Sequence, residues 1–395
     1  MYVPIRMISR YLVRPRVVSL STLNKGVFKV LNDVNQGGGI FIDFCGRNAQ
    51  ITITSVWKDT CEVQLDSINQ EFDVTVEESD GCAHICVSPD ATSSSGTILL
   101  NLFVPEIINT YIKARTLSLT TNNKLAGDMS VECDSGSVRI DKLRGENLTF
   151  DLGSAVVDVR KVIEGNLTVR CASLNAKMIN GDNIQIDCSA SANIGAIYSK
   201  SARVCAGGVS VQGIHGSIHV ENHTGNVSIS GIDGNFHILN LLGDIAIQIN
   251  KLCVGQSSAN SLNGSLSVKV NPELSTHVTI SVPDTNPKES IKLDVTNFHP
   301  TDASKPTSIA GFFKGESRTK NLRGRMHLVS GKIDLLSAKM YALHAERFVV
   351  SNGKDATSSD STPMLSVRAA KEIHVESLSW RQAIQRKFGF EESEA

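Results

Sequence analysis

From Gly127 to Val270 apolar and polar positions alternate in short runs that restart every nine residues. Gly207, Gly216, Gly225, Gly234 and Gly243 fall nine apart, as do Gly127, Gly136 and Gly145. Apolar residues recur at the second and fourth places after the glycine: Val209 and Val211, Ile218 and Val220, Val227 and Ile229, Phe236 and Ile238, Ile245 and Ile247. Gly136, Gly165 and Gly264 lead the same template, with Val138 and Ile140, Leu167 and Val169, Leu266 and Val268. Alternation of this kind predicts strands with one buried face. The glycine, often beside Asn, Asp or Ser, predicts a tight corner.

A strand of about five residues cannot hold its buried face alone, so the units must stack. Two beats per turn predict a parallel β-solenoid (β-helix) with coils of about 18 residues, in which each buried Val or Ile contributes about 1.5–3 kcal/mol. Cys171, Cys188 and Cys205 are seventeen apart, with Cys133 further upstream, which predicts one column of small apolar side chains. Ligands stacked along a single column do not make a tetrahedral metal site. An antiparallel sandwich is the alternative fold, disfavoured because Asn-Gly and Asp-Gly hairpin turns are not the dominant connector.

The flanks lack the beat. Residues 27–115 carry strand-like runs at Ile40–Phe44, Ile51–Val56, Phe72–Val76 and Ile98–Val104, read as a β segment that caps the solenoid of 116–271. Prolines, lysines and serines mark 272–320 as an insertion or long loop. The template returns at Gly324 and Gly331, so 321–350 reads as closing coils. Residues 351–395 read as a linker and a short C-terminal helix, with Trp380, Ile384 and Phe388 on one face, serving as a docked cap or as a partner-binding element.

Charge changes the picture only at the start. The chain holds 39 basic and 40 acidic residues, a balance that gives no general pull toward nucleic acid. No apolar stretch approaches the length of a membrane span. Before Asp33 there is no acidic residue, and Arg6, Arg10 and Arg14 share one helical face away from Ile5, Ile8 and Leu12. An Arg-rich, acid-poor start of this kind predicts a targeting leader over 1–26 and a mitochondrial matrix location. A disordered basic leader on a cytoplasmic protein is the alternative. Nine cysteines without a C-x-x-C pair read as reduced thiols. Sequons at Asn147, Asn166, Asn222, Asn226 and Asn263 read as by-products of an Asn- and Ser-rich repeat.

An apolar run ending in proline, Leu100–Pro105, followed by Leu117, Leu119 and the beat from Gly127, resembles the putative-adhesin family of domains, found in many bacterial proteins and a few animal ones. The resemblance spans about Leu99 to Leu336 and implies a β-helical fold, with no activity and no functional residues to carry over.

Candidate chemistry is sparse. His215, His219 and His223 recur every four residues, with His237 nearby, but the strand pattern around Ile218 and Val220 spreads them over turns and an outward position. Asp141, Asp151 and Asp158 with Arg139, Arg144 and Arg160 form the densest mixed-charge region, for which cross-strand pairing is the expected use. Gly37–Gly39 precede a strand rather than a helix, unlike a dinucleotide loop. No catalytic residue, metal ligand or cofactor site is therefore assigned. The expected function is a non-enzymatic interaction scaffold for an unidentified protein partner, with a carbohydrate-active or other hydrolytic β-helix enzyme as the alternative.

Overall fold

The structure, a computed structural model, describes residues 16–20, 27–31, 38–57, 61–66, 74–79, 82–87, 97–271, 274, 276–281, 291–294, 298–300, 308–313, 363–369 and 371–377. The chain forms two compact units, 1–160 and 161–395. The described residues are strands and turns, without a helix.

The first unit starts with β1 (Arg16–Leu20), β2 (Val27–Leu31), β3 (Gly39–Asp43), β4 (Asn48–Val56), β5 (Cys61–Asp66) and β6 (Val74–Ser79). It continues with β7 (Cys82–Val87), β8 (Thr97–Pro105), β9 (Asn109–Lys113), β10 (Thr116–Ala126), β11 (Met129–Glu132) and β12 (Ser135–Asp151). Two faces are built in parallel. On one, β7, β3, β9, β11 and the end of β12 lie side by side. On the other, β8, β4, β10 and the start of β12 do so. Thr116 opposes Ser135 and Leu125 opposes Leu143, so one turn of the coil takes 19 and then 18 residues. The inward residues of these parallel strands are mostly aliphatic, as at Ile51, Ile53, Leu117, Leu119, Val138 and Ile140, all nearly fully buried.

The stretch 27–115 is thus more than a cover: β3–β4 and β7–β8 are parallel coils of the same kind as β9–β10. Gly39 and Asn48 start their strands nine residues apart, but β5 and β6 stand between β4 and β7 and interrupt the beat. Antiparallel strands then blunt the exposed edge, β6 and β1 beyond β7, and β5 and β2 beyond β8. Arg16–Leu20, inside the stretch expected as a leader, is one of them; its Val17 and Val18 favour extended backbone. Arg6, Arg10 and Arg14 lie outside the described residues.

The second unit takes up most of β13 (Val156–Asn222), which is continuous extended backbone, followed by β14 (Val227–Asp233), β15 (Phe236–Asn240), β16 (Ile245–Lys251), β17 (Gln256–Ser261) and β18 (Leu266–Val270). Beyond these come β19 (Thr276–Ser281), β20 (Ile291–Asp294), β21 (Phe298–Pro300), β22 (Ser308–Phe313), β23 (Met364–Ala369) and β24 (Ile373–Ser377). Val209 opposes Val227, Ile218 opposes Phe236, and Val227 opposes Ile245, each at 18 residues. The register is parallel throughout this part, which is a β-solenoid and not the antiparallel sandwich.

The glycines alternate between two corners, one at Gly216 and Gly234, the other at Gly225, Gly243 and Gly264. At each corner the backbone of one coil rests on the carbonyl of the coil before it. A Cβ at Gly216 would overlap the Ser199 carbonyl oxygen, and one at Gly234 would overlap that of Gly216. The residue beside the glycine ties the corners together. Asn226 Oδ1 accepts the Asp244 N–H at 2.9 Å, and Asp244 Oδ1 accepts the Ser265 N–H at 2.8 Å. In the first unit Asp128 Oδ1 accepts from the N–H groups of Glu146 and Asn147 at 2.9 and 2.8 Å. Corner carboxylates and amides thereby satisfy backbone donors that the strand ladders leave over.

Two expectations for the C-terminal part differ from the structure. The insertion 272–320 contains β19 to β22, and 364–377, expected within the linker and helix, is a pair of strands in the solenoid. Met364–Ala369 and Ile373–Ser377 alternate correctly, but they stand about a hundred residues from the coil they extend. The closing coils of 321–350 and the helix around Trp380, Ile384 and Phe388 lie outside the described residues.

Candidate functional site

Outward positions of the second unit stack into columns, because consecutive coils are in register. Ser201, His219, His237, Ser258 and Ser366 follow one another, beside Arg203, Glu221, Leu239, Asn260 and Arg368. Within this face Glu221 accepts from His219 Nε2 at 2.9 Å and from Arg203 at 3.0 Å. Burial pushes the Glu221 carboxyl up, but the two hydrogen bonds and two positive neighbours outweigh it and hold the group below the ordinary carboxylate range. His237 Nδ1 lies 3.0 Å from Ser258 Oγ, and the His219 and His237 rings are 6.5 Å apart.

His237 is pushed below its ordinary value of 6.5 by burial and then by the neighbouring His219 charge. The unfolded chain therefore takes up a proton before the native one as pH falls. Native stability supplied by this group is complete above about pH 6.5 and declines as pH drops toward the lowered native value. Urea midpoints at about pH 7.5 and about pH 5.5 are expected to show a fall that is smaller in His237→Gln; an equal fall in the two proteins would remove His237 as the source.

The four histidines do not converge. His215 lies on the neighbouring face, stacked on Tyr198 at 4.5 Å between centroids and paired with Asp233 at 3.1 Å. His223 stands next to the Cys205 thiol at 3.4 Å. Among the described residues no group of three or more His, Cys, Asp or Glu is placed to hold a metal ion. The thiol column holds for one step only. Cys171 and Cys188 are buried with their sulfurs 3.6 Å apart, whereas Cys205 stands between buried Val204 and Ala206 and points outward. The coil length changes there from 17 to 18 residues, and a slip of one residue turns a side chain to the other face. The hydrogen bond to Cys171 and burial push the Cys188 thiol far up, and the same hydrogen bond pulls the Cys171 thiol down, so the two sulfurs act as one buried, packed contact.

In the mixed-charge region of the first unit, Arg139 and Asp158 pair at 3.4 Å across neighbouring coils, with both side chains well exposed. Such a pair contributes little to stability. Three sequon asparagines act in corners or strands: Asn166 and Asn226 accept backbone N–H groups, and Asn222 is buried.

The feature that pattern reading missed is a buried amide pair. Asn222 and Asn240, on consecutive coils, are 1% and 0% exposed. Asn222 Nδ2 donates to Asn240 Oδ1 at 2.8 Å and also to the Gly225 carbonyl. Asn240 Nδ2 donates to the carbonyls of Gly225 and Asp244, both at 3.2 Å. On the next coil Ser261 takes over and donates to the Gly243 carbonyl at 3.0 Å. The sequence signal is a recurring polar residue two places past the inward Val220, Ile238 and Ala259, beyond the two apolar positions of the template.

No family model matches the chain, and no curated protein matches it. Two solved structures similar to it are a putative cell adhesion protein from Clostridium sporogenes ATCC 15579 and a putative adhesin from Parabacteroides distasonis ATCC 8503. The first is 8% identical with a TM-score of 0.19, covering 89% of this chain and 99% of that one. The second is 11% identical with a TM-score of 0.22, covering 89% and 97%. The fold rests on the strand register above and not on these likenesses.

Proposed function

We propose that the chain is a non-enzymatic scaffold that presents the face formed by Arg203, His219, Glu221, His237 and Ser258 to a protein partner. The observation that carries this reading is the fixed spacing of those side chains on consecutive coils, held by their own hydrogen bonds before any partner arrives. Preorganised polar and aromatic-like groups lose little entropy on binding. Single changes on this face are expected to cost about 0.5–1.5 kcal/mol per hydrogen bond lost, too little to unfold the chain, so a loss of binding is interpretable.

The hydrolytic alternative is favoured by one contact, Ser258 to His237 at 3.0 Å. Two features weigh against it. Glu221 binds His219, and among the described residues no carboxylate is bonded to His237 to orient it. The backbone of β17 pairs with β15 on one side and β23 on the other, so its N–H groups point along the sheet rather than at an oxyanion.

A photo-crosslinking residue placed at His237, on this face, is expected to give a discrete adduct in cells, and one at Ala246, on the other face, is not. Hydrolase activity that disappears in Ser258→Ala, without an adduct at His237, would replace the scaffold by the enzyme. The compartment we infer is the mitochondrial matrix, from the arginine spacing before Asp33, and proximity labelling with the native N-terminus tests it.

A further inference from the structure

The second unit does not stack in chain order. β17 and β18 are followed in space by β23 and β24, and only then by β19 and β20, which precede them in sequence. The pair β23–β24 therefore fills a slot whose two walls are laid down earlier in the chain. One wall supplies Gln256–Ser261 opposite Met364–Ala369 and Leu266–Val270 opposite Ile373–Ser377. The other supplies His277–Ser281 opposite Met364–Arg368 and Ile291–Asp294 opposite Ile373–Glu376. All four pairings are parallel.

The occupant fits through side chains as well. Leu365, Val367, Ala369, Ile373 and Val375 are inward and no more than 2% exposed. Lys269 meets Glu376 at 3.6 Å, and Thr276 Oγ1 donates to the Pro363 carbonyl at 3.0 Å. An empty slot would leave the edges of four strands without partners, which is costly and prone to pairing with other chains.

We infer that β23–β24 is an exchangeable element and that its slot accepts the same strand pair from a second copy of this chain. Residues 314–362 separate β22 from Pro363. Such a separation in sequence lets a second copy's strand pair compete with the chain's own, because both offer the same contacts to the slot. A second copy supplies identical contacts, so exchange needs no new interface. Sequence order favours it further, since the walls of 256–294 are complete before the occupant is available.

Two full-length variants test the exchange without refolding. One carries Lys269→Arg and keeps Glu376; the other keeps Lys269 and carries Glu376→Gln. Neither can form a carbodiimide-induced amide between positions 269 and 376 within one chain. After co-expression, the dimer fraction is expected to contain the 269–376 link between the two variants, at least about tenfold above chains expressed separately and mixed after folding. The unsubstituted protein is expected to show the link within its monomer. Absence of the inter-variant link on co-expression, an equal yield from mixing folded chains, or no link in the unsubstituted monomer would each overturn the proposal.

Discussion

Replacing Gly216 by alanine is expected to lower the stability of the second unit by at least about 2 kcal/mol, whereas Gly208→Ala is expected to change it by less than about 1 kcal/mol. Gly216 has φ of +118°, a conformation that costs an L-residue about 1–3 kcal/mol. Its added Cβ would also overlap the Ser199 carbonyl oxygen, so the coils must part at that corner. Prising apart packed neighbours costs about 1–3 kcal/mol more. At Gly208 the nearest atom to an added Cβ is the Asn226 carbonyl oxygen at 3.9 Å, an ordinary contact. The paired comparison separates corner packing from a general effect of glycine on the unfolded chain. Urea midpoints by circular dichroism read both; equal loss in the two variants would show that corner contact is not what the repeat glycines provide.

Asn240→Leu is expected to cost about 2–3 kcal/mol despite the apolar gain. The substitution removes two donated hydrogen bonds and one accepted from Asn222. Each net hydrogen bond is worth about 0.5–1.5 kcal/mol. The carbonyls of Gly225 and Asp244 keep a donor, from Asn222 Nδ2 and from the Val227 N–H, which keeps the loss from being larger. The companion Asn222→Leu removes the other half of the same pair. The double variant is therefore expected to cost clearly less than the sum of the singles, because the buried partner left behind by each single change is gone. Additive costs would mean that the two amides act separately on the backbone, with no contribution from their mutual bond.

These two experiments touch different levels of legibility. The corner glycines and the inward Val, Ile and Leu positions announce themselves as a nine-residue beat, because a strand's side-chain period is two and a corner excludes a Cβ. Two beats per coil agree with the seventeen-residue spacing of Cys171, Cys188 and Cys205. The amide pair is partly legible, as an asparagine recurring two places past Val220 and Ile238. Its hydrogen bonds are not, since they depend on which coil lies above which.

The candidate face illustrates the same boundary. Regular spacing predicted that His215, His219 and His223 would be scattered, and the structure places them on three different surroundings: Tyr198 and Asp233, Glu221, and Cys205. Spacing could not place Arg203 beside Glu221 or Ser258 beside His237. Those contacts need the register, 18 residues in one step and 21 in another.

By itself, then, the sequence determined the strand period, the inward residues, the corners and the parallel coil, all set by neighbours within about twenty residues. Only the tertiary structure decided the order of coils at the ends. There β3–β4 lies between β7–β8 and β9–β10, and β23–β24 lies between β17–β18 and β19–β20. Every apolar strand edge in a solenoid offers nearly the same hydrogen-bond row and the same aliphatic inner face. Local pattern therefore cannot say which edge a distant strand pair will join, and the choice falls to the packing of each unit.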